Sequence, residues 1–285
     1  MILLNLVRRN LALYFNNRKR IFFSLFGVLI SIILYFVFLK SMIQRGFSSI
    51  PNGVKLLDSW LIGGTVLLAA ITTTEDSLYQ KLYDRDSNRL KDLLVTDASY
   101  AQIDISYAIS AWLIGVIMQF VVFVILSVIF TASDGLSIDV SILTQLVIGM
   151  AVSSLVWTLF NMIIVMIIKS STLVPSISSI ISSCAGFFAG VYMPIGSLPT
   201  GAQTFLNYTP APYGSAMFRD VLMHNQLQTS FQHVNASVMN DFIKTMGLQI
   251  NGFDTFNGNM MMSLLFVALF LVFFFALLFI NKKNA

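Results

Sequence analysis

The amino-acid sequence predicts an all-α, polytopic membrane protein with six transmembrane helices. Three observations carry that expectation. Hydrophobic residues make up 56% of the 285 positions and charged residues only 11%. A soluble domain carries about 25% charged residues, so this chain has too few to cover a water-facing surface. The apolar residues gather into runs long enough to cross about 30 Å of hydrocarbon as helices. Most of the Lys and Arg residues lie in the polar segments beside those runs. Mean hydropathy is +0.80. No internal repeat interrupts the pattern, so residues 1–285 read as one domain.

In chain order, residues 1–20 form an amphipathic stretch. Leu3, Val7, Leu11, Tyr14 and Phe15 fall on one helical face, and Asn5, Arg8, Arg9 and Asn16 on the other. This predicts a helix lying in the plane of the lipid headgroups. A signal peptide fits poorly, because the next apolar run is longer than a signal core and no small-residue cleavage site follows. Residues 21–39 are the first predicted span. The second, 59–78, starts at the interfacial Trp60, and its helix is expected to continue past Glu75 and Asp76 towards Tyr83. Spans follow at 103–131, 142–168, 173–193 and 260–281. The segment 194–225 holds Pro194, Pro199, Pro210 and Pro212 together with Phe205, Tyr208, Tyr213 and Phe218. It is too apolar for an ordinary loop and predicts short helices dipping back into the membrane. They would form either a lid over a pathway or an interfacial anchor.

Charge sets the expected orientation. With the N-terminus inside, only Lys40, Arg45, Lys55, Arg219 and Lys244 of the 17 Lys and Arg residues lie outside. The inner set includes Lys169 in a short turn and Lys282 and Lys283 at the end. Both termini are therefore expected in the cytoplasm of a cell-membrane protein. The net charge of +4 then serves orientation, and nucleic acid is not an expected partner.

Several chemistries are not expected. Cys184 is the single cysteine, which excludes an intrachain disulfide and a cysteine metal site. His224 and His233 share a polar loop without a third ligand nearby. No glycine-rich nucleotide loop of the P-loop type occurs. The spans read as almost free of ionisable residues, which argues against a proton- or ion-coupled pump and against an enzyme. The chain is expected to hold no cofactor of its own. Active transport would need energy from another chain.

Two motifs remain. Between spans two and three lies a charged island in which Leu90, Leu93 and Leu94 form an apolar ridge beside Asp84, Asp86, Lys91 and Asp92, with Asp86 or Ser87 as the helix cap. Such a ridge suits docking into a groove on a partner; the plain alternative is a loop folded on its own helices. In the fifth span Ser178, Ser182, Gly186 and Gly190 recur every four residues, a spacing that permits close helix packing, a pathway wall or a dimer seam.

Three features together resemble the ABC-2 type permeases, the membrane subunits of ABC exporters. They are the basic amphipathic N-terminus, the run DRDSNRLKDLLVTDAS after span two, and GVYMPIGSLP followed by Pro210, Pro212, Tyr213 and Arg219. The resemblance covers nearly the whole chain; Asp97 departs from it, standing where the family often has proline. It implies a fold of six spans with an N-terminal interfacial helix, a cytoplasmic coupling helix and an outer re-entrant segment. It implies a second permease, identical or sibling, and two cytosolic ABC ATPase subunits that hold ATP and Mg. Residues 83–94 would be the coupling helix, with Tyr83, Asp84, Arg85, Asp86, Arg89, Leu90, Leu93 and Leu94 meeting the ATPase. Gly186, Gly190, Pro194, Pro199, Pro210 and Tyr213 would line or gate the pathway. The cargo would be an amphipathic compound such as a drug, antibiotic, peptide or lipid-like molecule. The alternatives are a polysaccharide or teichoic-acid exporter, or a membrane enzyme or scaffold without transport.

Overall fold

Helix α4 (Gly53–Asp86) is the axis about which the other helices pack. At 34 residues it is about 51 Å long. Thr65, Thr72, Thr73 and Thr74 return their hydroxyls to carbonyls one turn back, which satisfies them in a dry interior. In its most apolar stretch 89% of the residues are buried, against 17% in each of the last two spans, so α4 is walled from lipid and those two are not.

The protein is described here from a computed structural model over residues 2–41, 50–95, 97–168, 170–232 and 234–283. Arg45, Lys169 and His233 lie outside the described residues, as do the side chains of Lys282 and Lys283. The described chain is helical, with five helices long and apolar enough to cross a membrane, or six when one bent pair counts as a span.

The first helix, α1 (Ile2–Phe15), stops before the predicted residue 20. The chain breaks at Asn16 and Asn17, and the Asn17 side chain caps α2 (Arg18–Ser24) by accepting from the Arg20 amide. Helix α3 (Phe26–Leu34) follows after Leu25 and runs on as a π turn over Tyr35–Leu39. The first span is thus a pair bent by 44°.

Around α4 pack α6 (Tyr100–Asp134), α7 (Leu143–Ile167) and α8 (Val174–Phe188). A reciprocal Ser99–Gln102 capping box opens α6, and Gly135 at φ +65° closes it. The fifth predicted span was to reach residue 193, but α8 ends at Phe188. With the 3-10 turn at Ser171–Leu173 that leads into it, it makes an 18-residue span that stops five residues before the predicted end.

The segment beyond α8 is largely helical. A 3-10 turn at Ile195–Ser197 leads to α9 (Thr200–Leu206) and α10 (Pro210–Ser230). An amphipathic α11 (Ala236–Met246) precedes the last span, α12 (Phe256–Lys283). Most of α10 is buried, from Pro210 to Arg219 without a break, which leaves no lipid-facing side for an interfacial anchor there.

Candidate functional site

Contacts along α4 and α10 fix how deep the folded-back segment goes. Ser59 bonds Gln226 (3.0 Å), the Trp60 carbonyl accepts from Arg219 Nε (3.2 Å), and Gly214 abuts Leu67. As α10 advances, its partners move back along α4, so the two helices are antiparallel. The N-terminal end of α10 lies nine residues along α4 from Asp58, about 13 Å. The segment therefore packs alongside α4 within the helix bundle.

Arg219 stands where α10, α4 and the end of α8 meet. It is fully buried. Its Nη2 donates to the carbonyls of Ala189 (3.1 Å) and Gly190 (2.9 Å), and its guanidinium stacks on Trp60, 4.4 Å from the ring centre. Those two carbonyls terminate α8, where the helix dipole favours a cation. Gly190 takes φ +63°, where its chain turns away. A helix ending inside a bundle needs its last carbonyls satisfied by protein, and Arg219 does so.

Room for the arginine comes from Gly63 and Gly64 on α4. A Cβ on Gly63 would stand 2.9 Å from Arg219 Cγ, and one on Gly64 2.8 Å from Arg219 Nη2 and 2.6 Å from Val191. Real Cβ atoms do not approach so closely. The pathway residues expected from the sequence sit around this point. Gly186 leaves space for the Tyr192 ring, Pro194 is buried beside Ile195, and Pro199 and Pro210 precede and open α9 and α10. Tyr213 is buried, donating to the Asn207 carbonyl (2.8 Å) and accepting from Asn251 (2.8 Å). Of these residues Pro194, Pro210 and Tyr213 are buried, while Pro199 is exposed.

At the other end of α4, Asp84 is fully buried and joins three helices. It accepts from Arg9 on α1 (2.8 Å), Tyr107 on α6 (2.6 Å) and Gln80 one turn back (2.9 Å). Burial lowers the Arg9 pKa, but its hydrogen bond and charge attraction to Asp84 outweigh that and hold it above the ordinary arginine value. Further ties run from Arg20 to Asp76 (2.5 Å), Lys81 to Asp104 (2.8 Å), Arg85 to the Ile168 carbonyl (3.0 Å) and the Ser171 amide to Asp86 (2.6 Å). The end of α4 is thereby bonded to α1, α2, α6 and the turn before α8.

The segment 83–94 is not one helix. Tyr83 to Asp86 complete α4, the chain breaks at Asn88 with φ +59°, and α5 (Arg89–Leu94) follows. Asn88, not Asp86 or Ser87, stands at its start, and without a side-chain cap. The apolar ridge is not free either. Leu90, Leu93 and Leu94 are half-buried against a cluster holding Leu78, Tyr79 and Leu82. What faces outward is Tyr83, Asp86, Ser87, Asn88, Arg89, Lys91, Asp92 and Val95.

The expectation of spans almost free of ionisable groups also needs correction. Asp58, Glu75 and Asp84 on α4 are buried, as is Arg219. Asp58 accepts from the Tyr35 hydroxyl and lies 3.8 Å from Lys40, which pairs with Asp134 at 2.7 Å. Tyr79 donates to Glu75. The sequence between Asp58 and Glu75 carries no charge for about 25 Å, so these two carboxyls bracket the hydrocarbon rather than occupy its middle.

No known family model matches the chain, and no curated protein does.

Proposed function

We propose that the chain is the membrane subunit of an ATP-driven exporter of the ABC-2 type. Its cargo is an amphipathic compound. Both termini are cytoplasmic, and a separate ABC ATPase binds ATP and Mg. A second permease, identical or related, completes the pathway. The observation that carries this reading is the continuity of α4. One 34-residue helix bears the exposed Tyr83 and leads into Arg89 at one end, and cradles the re-entrant plug through Gly63 and Gly64 near the other. A force applied at the first end is delivered to the plug without an intervening hinge. Helices that end within a bundle and meet at a buried polar group are a recurrent feature of transporters.

In this reading the coupling surface is narrower than the sequence expectation. Tyr83, Arg85, Asp86 and Arg89 meet the ATPase, while Leu90, Leu93 and Leu94 hold α5 against its own protein and Asp84 fixes α1. The plug around Gly186, Gly190, Pro194, Pro199, Pro210 and Tyr213 is the closed exit. The test is co-purification of the chain with the ABC ATPases expressed in the same cells. Tyr83→Ala with Arg89→Glu is expected to abolish association while the chain still elutes as wild type. Tyr213→Ala is expected to reduce export and leave association intact. Undiminished association of the double variant, with ATPase stimulation unchanged, refutes the proposal.

A further inference from the structure

The break at Asn16 and Asn17 leaves a groove of about 760 Å³ between α1 and the start of α2, lined by Arg9, Ala12, Leu13, Asn16, Arg18 and Lys19. Its electrostatics are one-sided. The carboxylates nearest to it are already engaged, Asp84 by Arg9 and Asp76 by Arg20. Arg18 and Lys19 are exposed and form no ion pair among the described residues. Arg9 is only partly used: its bonds to Asp84 and Asn10 both leave from Nη1. The groove thus offers two free cations, a partly free guanidinium fork and an asparagine amide.

The surroundings are apolar. Phe15 at the end of α1 and Phe22, Phe23 and Phe26 along the first span are exposed. They belong at the level of acyl chains, because α2 and α3 form the bent span that begins here. The buried stripe of α1 is Leu6, Val7, Asn10 and Tyr14, facing α6, so Leu4 and Phe15 are left to face lipid. The result is a cationic pocket at headgroup level with an aromatic wall directly beside it.

We propose that this elbow binds the phosphate headgroup of an anionic phospholipid, with the acyl chains lying along Phe22, Phe23 and Phe26. The phosphate oxygens accept from Arg18, Lys19 and the free side of Arg9. A bound headgroup ties α1 to the start of the first span across the one break between them. The inference needs only that the chain sits in a bilayer and is independent of the transport reading.

Full-length protein is reconstituted in nanodiscs of equal parts phosphatidylcholine and phosphatidylglycerol, and the lipids retained on release are counted by native mass spectrometry. Wild type is expected to keep phosphatidylglycerol in preference to phosphatidylcholine. Arg18→Gln with Lys19→Gln is expected to weaken that retention about 30-fold, as two basic groups near a membrane surface imply. The charge-matched control, Lys91→Gln with Lys244→Gln, removes two exposed cations elsewhere and should leave it unchanged. Equal loss in the control overturns the site in favour of general surface charge. Displacement of the retained lipid by inorganic phosphate, or equal retention of phosphatidylcholine, also overturns the headgroup assignment.

Discussion

Replacing Arg219 tests the central claim about the plug, that one buried cation closes α8 and locks α10 to α4. In Arg219→Met the side chain keeps its length and loses its donors. Three carbonyls, those of Trp60, Ala189 and Gly190, then lose a charged partner in a place water does not reach. Each orphaned acceptor costs about 1–3 kcal/mol, and the stacking on Trp60 adds roughly 2 kcal/mol when desolvated. Against this, the variant no longer buries an unpaired charge, a relief of several kcal/mol. The net expected loss is about 4 kcal/mol, which for a chain of this size lowers Tm by about 8 °C. Arg219→Lys separates geometry from charge. An ammonium on a flexible stem cannot serve Trp60 on one side and the α8 terminus on the other, so about half the loss remains. Thermal melting of the purified full-length chain, followed by size-exclusion of the soluble fraction, reads both. A methionine variant as stable as wild type, or a lysine variant that fully restores it, would refute the reasoning.

Two further outcomes follow from the same contacts. Gly64→Ala forces a methyl to 2.6 Å from Val191 and 2.8 Å from Arg219 Nη2; overpacking of this kind costs about 1–3 kcal/mol, and adding Val191→Ala should recover part of the lost Tm. Unchanged melting of the single variant would mean that the notch is not tight. Asp84→Asn keeps the shape of the hub and removes its charge, at a cost of about 1–3 kcal/mol. Amide hydrogen exchange in α1 should then rise, because Arg9 loses its anchor on α4, whereas exchange in α11, which meets α4 at its opposite end through Trp60 and Met246, should not.

The parts of this fold legible in the sequence are those that composition alone determines. The apolar runs give the spans, and the absence of Pro and Gly after Thr74 correctly carries α4 on to Asp86. The end of α8 is not legible. Residues 189–193 continue the apolar run, and the stop at Phe188 comes from the left-handed Gly190 and a cation thirty residues later in the chain. Arg219 itself reads as a loop charge because its partners are backbone carbonyls, which have no sequence signature. The adjacent Gly63 and Gly64 near the start of a span were the available clue that something large approaches there. The leucine ridge of α5 fails for a different reason: periodicity tells that a face is apolar, and not whether it meets a neighbour in the same chain or a partner.

That last distinction bears on how a partner could move the plug. Had the leucines been free, a partner could have held α5 by hydrophobic burial and pulled on a loosely attached hook. With them packed against Leu78, Tyr79 and Leu82, α5 and the end of α4 form one body. The Asp84, Asp76 and Asp104 pairings extend that body to α1, α2 and α6. On the proposed coupling, a push on Tyr83 or Arg89 would shift α1 and α4 together. The compliant points lie at the breaks, Asn16–Asn17 and Leu25 on one side and Gly190 on the other. Motion of α4 relative to α8 must act on the Arg219 bonds, because Arg219 is bonded to Trp60 on α4 and to the end of α8 at once. On the proposed mechanism, the side chain that joins α10 to α4 and to the end of α8 is therefore one that carries strain when α4 moves.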